Sequence, residues 1–198
     1  MLRATDYIPD LGMYSFNNKI QSCCVGGVWV MYAEAGYNKD NPTASSWWVY
    51  GDNYCTNVPQ GFENKGSSLR FVGAPDDWKY DTLNLYFREF FIGDEEFMYS
   101  DKSRLVNDNK ARSIIVTGCS GWTLYQYDDY QGAAICVFPS DTLSCNPGFY
   151  STTTSLGMMD RQVSSVRRGC WARERVYPEN NGVAAPVNHS DWIFPSKK

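Results

Sequence analysis

Histidine is almost missing from this chain: the single one, His189, sits in a polar tail beside proline. Serine or cysteine nucleophiles need a base held within hydrogen-bond reach, so their usual arrangements are excluded. No Cys-x-x-Cys spacing, His-Glu-x-x-His helix or phosphate-cradling glycine loop occurs. Adjacent carboxylates stand at Asp76-Asp77, Asp94-Glu95 and Asp128-Asp129. Neighbours on a strand point to opposite faces, whereas glycoside hydrolysis needs two carboxyl groups facing each other across a cleft. These pairs read as turn residues, and the chain is expected not to be an enzyme. No apolar run approaches the ~20 residues that a membrane-spanning helix requires. The first residues, with Arg3, Asp6, Pro9 and Asp10, lack the apolar centre of a secretion signal, which suits either a mature secreted form or a cytoplasmic protein. With 18 Lys and Arg against 22 Asp and Glu, the net charge of −4 does not invite nucleic acid. Helical periodicity is scarce as well.

Aromatic residues and turn formers are plentiful. Tyr 14, Phe 10 and Trp 7 make 16% of the 198 residues, punctuated by 16 Gly and 9 Pro. Short β-prone runs at residues 28–32, 47–50, 69–72, 83–87, 114–117, 122–127, 133–138 and 163–167 predict an all-β sandwich.

One pattern occurs three times. Tyr125 and Tyr130 flank a bend ending at Gly132, and Ser165-Val166-Arg167 follows about thirty residues later. Tyr86, Phe91 and Gly93 lead in the same way to Ser113-Ile114-Ile115, and Tyr32 and Tyr37 lead to Ser68-Leu69-Arg70. Each glycine supplies the positive φ of a tight bend, the aromatics pin the bend to the sheet, and the serine hydroxyl satisfies its amides. Lys39 stands where the first copy would have its glycine. Repetition at roughly 35 to 50 residues signals one supersecondary unit copied along the chain. These motifs, over residues 26–171, resemble the βγ-crystallin family. That resemblance implies a Greek-key β-sandwich in which an aromatic hairpin opens each unit and a strand beginning at the serine closes it.

The short connection from Ser113 to Tyr125 joins the second and third copies into one double Greek-key domain, residues 80–171. The longer one from Ser68 to Tyr86, carrying Gly73-Ala74-Pro75-Asp76-Asp77, reads as a linker. Residues 24–74 then form a first unit without a mate, flanked by an N-terminal segment, 1–23, and followed at the far end by a tail, 172–198. A lone Greek key exposes an apolar face. Apolar residues of the N-terminal segment, Trp192, Ile193 and Phe194 of the tail, or a second chain in a homodimer are the candidate covers.

The resemblance also implies calcium, because many such domains hold it in a loop of two Asn or Asp residues followed, two positions on, by a hydroxyl and a serine. Hard cations want six to eight oxygens, which short carboxylates, amides, turn carbonyls and hydroxyls provide. The corresponding loops are Glu63-Asn64-Lys65-Gly66-Ser67-Ser68, Asp108-Asn109-Lys110-Ala111-Arg112-Ser113 and Asp160-Arg161-Gln162-Val163-Ser164-Ser165. The candidate ligands are Glu63, Asn64, Ser67, Asp108, Asn109, Asp160 and Ser164. None of the loops is perfect: Arg112 takes a hydroxyl position, Arg161 an acid or amide position, and Glu63 is longer than usual. Weak binding is expected.

Seven cysteines favour an oxidising, extracellular setting; bridges are expected within units, such as Cys136 to Cys145 and Cys23 or Cys24 to Cys55, with the connectivity left open by the sequence and the odd count leaving one thiol free or intermolecular. Asn188-His189-Ser190 is a glycosylation acceptor consistent with secretion. Arg167, Arg168, Arg173 and Arg175 offer a site for an anionic membrane head group or sulfated glycan, weighed against a solvated strand edge. Trp47-Trp48 offers a carbohydrate surface, weighed against core packing. The family resemblance spans structural proteins of the lens, stress proteins, inhibitors and toxins. The function expected is therefore a stable structural or binding component, with a calcium-responsive protein and a defence or toxin-associated recognition module as alternatives.

Overall fold

The computed structural model describes residues 1–178. Those residues fall into two compact units that divide after Pro75. Both are built mainly of antiparallel sheet, and the glycosylation acceptor, His189 and the apolar tail residues lie outside the described part.

The second unit contains two sheets. One has the order β5-β4-β6-β9, from β4 (Thr82–Tyr86), β5 (Glu95–Met98), β6 (Ser113–Thr117) and β9 (Gly148–Tyr150). The other has the order β10-β7-β8-β11, from β7 (Trp122–Tyr127), β8 (Gln131–Val137), β10 (Ser165–Arg168) and β11 (Glu174–Val176). Each key lends its third strand to the other sheet: β9 pairs Ile115 with Phe149, and Lys102 bridges back to Val166. Alternation along the strands points Leu83, Leu85, Ile114 and Val116 from one sheet at Trp122, Leu124, Ile135, Val137 and Val166 from the other, forming one core. Tyr150 closes its end. Its hydroxyl accepts the Phe138 N–H at 2.8 Å and has the carbonyls of Val176 (2.8 Å) and Phe138 (3.0 Å) as acceptors. Burial pushes that phenol well above the ordinary tyrosine range.

Three of these strands were not expected from the sequence. β5 reads as Glu-Glu-Phe-Met, β9 is three residues long, and β11 follows the last core strand as a parallel edge on β8. Their side-chain patterns are too short or too charged to show a period of two, and they form because ladder partners already exist. A four-residue helix, α1 (Thr153–Leu156), was likewise unexpected.

The first unit has one three-stranded sheet of order β2-β1-β3, from β1 (Ser22–Tyr32), β2 (Ser46–Asn57) and β3 (Ser68–Val72). Strands β1 and β2 run well past the expected runs. A bulge between Val25 and Gly27, with Gly27 at φ 97°, carries the pairing through a Gly-Gly step that reads locally as a break. β3 pairs with β1 on one side, and Ile8 bridges its Leu69 on the other, through N–H···O bonds of 2.9 Å in both directions. Ile8 thus occupies, against β3, the place that β9 occupies against β6. The N-terminal segment supplies strand contacts that a second Greek key supplies in the second unit.

Disulfides join Cys24 to Cys55, Cys119 to Cys145, and Cys136 to Cys170, with Cys23 the free thiol. The expected Cys136–Cys145 bridge does not form. Cys136 lies on β8 opposite Thr123, facing the chain that leaves β10, whereas the Asp141–Asn146 bridge closes a loop that carries Cys145 to the turn at Cys119. Both bridges do lie within the second unit, as expected, but strand register decided the partners.

Candidate functional site

The three repeated hairpins share one geometry. Tyr32 meets Tyr37 at 5.6 Å and 66°, Tyr86 meets Phe91 at 5.5 Å and 66°, and Tyr125 meets Tyr130 at 5.6 Å and 65°. Edge-to-face contact of this kind is favoured by the ring quadrupoles. Each bend contains paired left-handed residues, among them Tyr37 and Asn38, Phe90 and Phe91, and Asp129 and Tyr130, at φ between 53° and 63°. Non-glycine residues take that conformation at a price in strain, and a serine from the closing strand offsets it. Ser68 Oγ accepts the Tyr37 N–H at 3.1 Å and donates to Glu34 O at 2.7 Å. Ser113 Oγ accepts from Phe91 at 3.0 Å and donates to Arg88 O at 2.6 Å. Ser165 Oγ accepts from Tyr130 at 3.0 Å and donates to Tyr127 O at 2.6 Å.

Gly93 (φ 80°) and Gly132 (φ 82°) leave the second and third bends. In the first copy Lys39 is in an ordinary right-handed conformation, and buried Asn38 holds the bend instead. Its side chain accepts the Glu34 N–H at 2.8 Å and donates to Ala44 O at 2.9 Å and Ser45 O at 3.0 Å. Ser165→Ala leaves a buried amide and carbonyl without their hydroxyl and is expected to destabilise by about 1–3 kcal/mol, read from urea midpoints. An unchanged midpoint would mean that the hydroxyl is dispensable.

The candidate calcium loops lie at the sheet ends, and in the second unit they meet as a reciprocal pair. Asn109 N–H donates to Val163 O at 3.0 Å, and Arg161 N–H donates to Ala111 O at 3.0 Å, both residues with positive φ. Asn109 Oδ1 and Ser164 Oγ face each other at 3.5 Å, and Ser164 Oγ also donates to Gln126 O at 2.8 Å. Asp108 Oδ2 accepts the Asn109 amide at 2.9 Å, so it serves its neighbour. At the reciprocal position Arg112 reaches 3.7 Å from Asp160 and 3.8 Å from Glu89, and Arg161 lies 3.7 Å from Asp160. A guanidinium already neutralises the carboxylate there. That half does not fit a metal ion.

The first unit repeats the arrangement with a loop that sequence reasoning missed, Asn17-Asn18-Lys19-Ile20-Gln21-Ser22. Asn18 and Asn64 have φ of 56° each, Asn18 N–H donates to Gly66 O at 2.9 Å, and Asn64 N–H donates to Ile20 O at 3.0 Å. Ser67 Oγ donates to Asn18 Oδ1 at 3.3 Å, matching Ser164 with Asn109. The Asn-Asn pair four positions before Gln21-Ser22 was the available signal, overlooked because no aromatic hairpin precedes it. Glu63 turns away and accepts the Gly61 N–H at 2.8 Å. Two of the four loop positions, Asn18 with Ser67 and Asn109 with Ser164, therefore present oxygen atoms. Among the described residues no three His, Cys, Asp or Glu side chains converge, so a cation there would depend on neutral oxygens.

The remaining candidates are accounted for in part by packing and pairing. Trp47 and Trp48 are buried. Of the four arginines in the basic cluster, Arg167 pairs with Asp101 and Arg168 with Asp81, each at 3.3 Å, while Arg173 and Arg175 are exposed. Among the described residues no helix is long and apolar enough to cross a membrane.

Crossed Greek keys, hairpins closed by a serine and paired loops at the sheet ends define the βγ-crystallin fold, and this chain has it. Geodin, a βγ-crystallin from Geodia cydonium, superposes with a TM-score of 0.63 over 83% of this chain and 89% of its own, at 19% identity. A βγ-crystallin from Ciona intestinalis gives 0.38 over 44% of this chain and 98% of its own, at 22% identity. Protein S complexed with calcium gives 0.33 over 82% of this chain and 87% of its own, at 18% identity. No family model and no curated protein matches the sequence.

Proposed function

We propose that this chain is a non-catalytic structural or binding protein of the βγ-crystallin type that works in an oxidising, extracellular setting. The supporting observation is the set of three disulfides, each within one unit, that brace sheets already closed by serine-locked hairpins. Such bridges persist where thiols are not kept reduced. In this reading residues 1–23 complete the unit 24–74, and the double Greek key of residues 80–171 takes in the first part of the following segment, whose strand β11 is the edge of its second sheet. The test is a thiol count by mass spectrometry on protein alkylated under native and unfolding conditions. One thiol, Cys23, should be found. Burial pushes it up to about 11, so it should stay protonated and react slowly at pH 8 until the chain unfolds. Because its value in the folded chain lies above the ordinary thiol value of 9.0, its contribution to stability is present below pH 9 and is lost as pH rises through about 11. Finding most cysteines reduced in protein taken from its source would overturn the extracellular reading.

A second reading, a calcium-stabilised protein, is favoured by the facing Asn109–Ser164 and Asn18–Ser67 oxygens. With a Kd on the order of 1 mM, 10 mM calcium contributes about 1.4 kcal/mol, or a rise in melting midpoint on the order of 5–10 °C for a unit of this size. Asn109→Ala combined with Ser164→Ala should remove the part of the shift that belongs to the second unit. Identical midpoints in calcium and in chelator would exclude this reading.

A further inference from the structure

Strand register sets two arginines at opposite ends of one row that crosses the second sheet of the second unit. Arg167 on β10 pairs with Thr123 on β7, Thr123 with Cys136 on β8, and Cys136 with Arg175 on β11. Leu124, Ile135, Val137 and Val166 on either side of this row enter the core, so alternation turns the row itself to the outer face. Three strand spacings separate its ends, roughly 14 Å. The chain leaving β10 lies across the middle of the face: Thr123 Oγ donates to Gly169 O at 2.7 Å and accepts the Trp171 N–H at 2.9 Å, and Cys170 is bonded to Cys136. Trp171 is 65% exposed on this strap. Its indole N–H donates to Arg168 O at 2.9 Å, and its ring lies 4.7 Å from the Arg167 guanidinium, which is also 5.2 Å from the ring of Tyr130. At the far end the Tyr150 hydroxyl, 2.8 Å from Val176 O, holds β11 in place.

The charge on this face is unbalanced. Residues 165–177 hold four arginines and one acid, Glu174, in a chain whose net charge is −4. Glu174 shares the side of Val176, which packs against the core, and so alternates away from Arg175. Strands β7 and β8 bring no charged side chain to the face. The acids that flank them in sequence, Asp128 and Asp129 in the hairpin and Asp141 after β8, lie beyond the strand ends, where Arg104 pairs with Asp128 and the Leu143 N–H donates to Asp141. Asp81 lies 3.3 Å from Arg168, and Asp101 lies 3.3 Å from Arg167 Nε and accepts the Arg168 N–H at 2.8 Å. The Arg167 pair is made through Nε, which leaves the terminal nitrogens of the fork to another acceptor. Exposed Arg173 and Arg175 have no acidic partner among the described residues, and Arg175 lies over the ring of Phe138 at 5.9 Å.

We propose that this row, from Arg167 across the strap of Trp171 to Arg175 and the adjoining Arg173, is a track for a sulfated glycan chain. A guanidinium fork takes a sulfate through two parallel hydrogen bonds, and every cation here is arginine rather than lysine. Anchors roughly 14 Å apart are too far from each other for one sulfate or phosphate ion and call for a linear polymer with repeated charges. A flat anionic membrane would also meet the surroundings of the row on a protein of net charge −4, whereas a chain can lie along the row alone. The indole between the cations offers an apolar face to a sugar ring. Preference for a sugar polymer over nucleic acid rests on the oxidising setting proposed above. The thiol count tests that setting and the binding assay tests the track, and either can fail without the other.

The test is binding of the full-length protein to heparin in NaCl between about 0.15 and 0.5 M, beside desulfated heparin, phosphatidylserine vesicles and a single-stranded oligonucleotide. Heparin should bind most tightly, and removing its sulfates should weaken binding about tenfold or more. Arg173→Gln combined with Arg175→Gln should weaken heparin binding about tenfold or more and reduce the slope of log affinity against log salt by about 2. Arg3→Gln combined with Lys19→Gln removes the same charge from exposed residues of the first unit and should change neither quantity. Melting midpoints serve as the fold control. Absence of heparin binding at about 0.15 M NaCl, an undiminished salt slope in the folded Arg173 and Arg175 variant, an equal loss in the first-unit control, or tighter binding of the vesicles or the oligonucleotide would each overturn the proposal.

Discussion

Replacing Cys136 and Cys170 together by alanine is expected to lower the stability of the second unit by about 3–4 kcal/mol, a fall in melting midpoint on the order of 20 °C. The bridge spans 34 residues of sequence, and most of its effect comes from the conformational freedom that closing this loop removes from the unfolded chain. It also joins β8 to the chain leaving β10, two strands separated in the sheet by β7, so it holds together elements that share no ladder. Changing Cys136 alone should be at least as damaging, since it leaves the Cys170 thiol without its partner beside a small cavity. Cys23→Ser, at the thiol outside the bridges, should move the midpoint far less. Urea unfolding of the three variants side by side makes the comparison, and equal midpoints for the double variant and the parent would show that the bridge does not form.

Trp122→Ala should be comparably severe, about 3–5 kcal/mol, because a fully buried indole at the centre of the sandwich is replaced by a cavity between the sheets. The more telling variant is Trp122→Phe. The indole N–H is buried and has no hydrogen-bond partner among the described residues, so it stands there as an unsatisfied donor. Phenylalanine removes that donor along with part of the ring volume, and the two effects oppose each other. The expected loss is about 1 kcal/mol, well below that of the alanine variant. A loss as large for phenylalanine as for alanine would mean that the N–H has a partner.

What was legible along the chain, and what was not, follows from the range of the interactions involved. The aromatic pairs lie five residues apart, and the serine lock needs only a hydroxyl at the start of the closing strand. Local signals of that kind survive in sequence and led directly to Greek keys. The fourth loop at Asn17–Ser22 was missed because no aromatic hairpin precedes it, and its partner, the 63–68 loop, lies forty-odd residues away. Strands β5, β9 and β11 were missed for a related reason. Each is short, and its neighbours in the sheet rather than its own alternation make it a strand. The Cys136 partner was misjudged because membership of one unit says nothing about strand register.

Within the candidate loops the residue types could be read, but not their employment. Arg112 was recognisable as a misfit at a cation position. That it reaches Asp160 and Glu89, and so makes its half of the loop pair unfit for a metal ion, needed the positions of three side chains from separate segments. Trp171 gave no sign of its exposure, since an isolated tryptophan after a core strand more often packs inside. Its stack on Arg167 and Tyr130 arises where the third hairpin, the closing strand and the chain beyond it converge.

By itself the order of residues determined that this protein is a β-sheet protein with repeated aromatic hairpins, because bends, alternation and hydroxyl locks are contacts between residues close in sequence or tied to one strand. Tertiary structure alone decided which cysteines join, which loop oxygens face each other and which ring is left in solvent. Those outcomes depend on register and crossing between distant strands, and the free energy that selects them is spread over the whole sandwich.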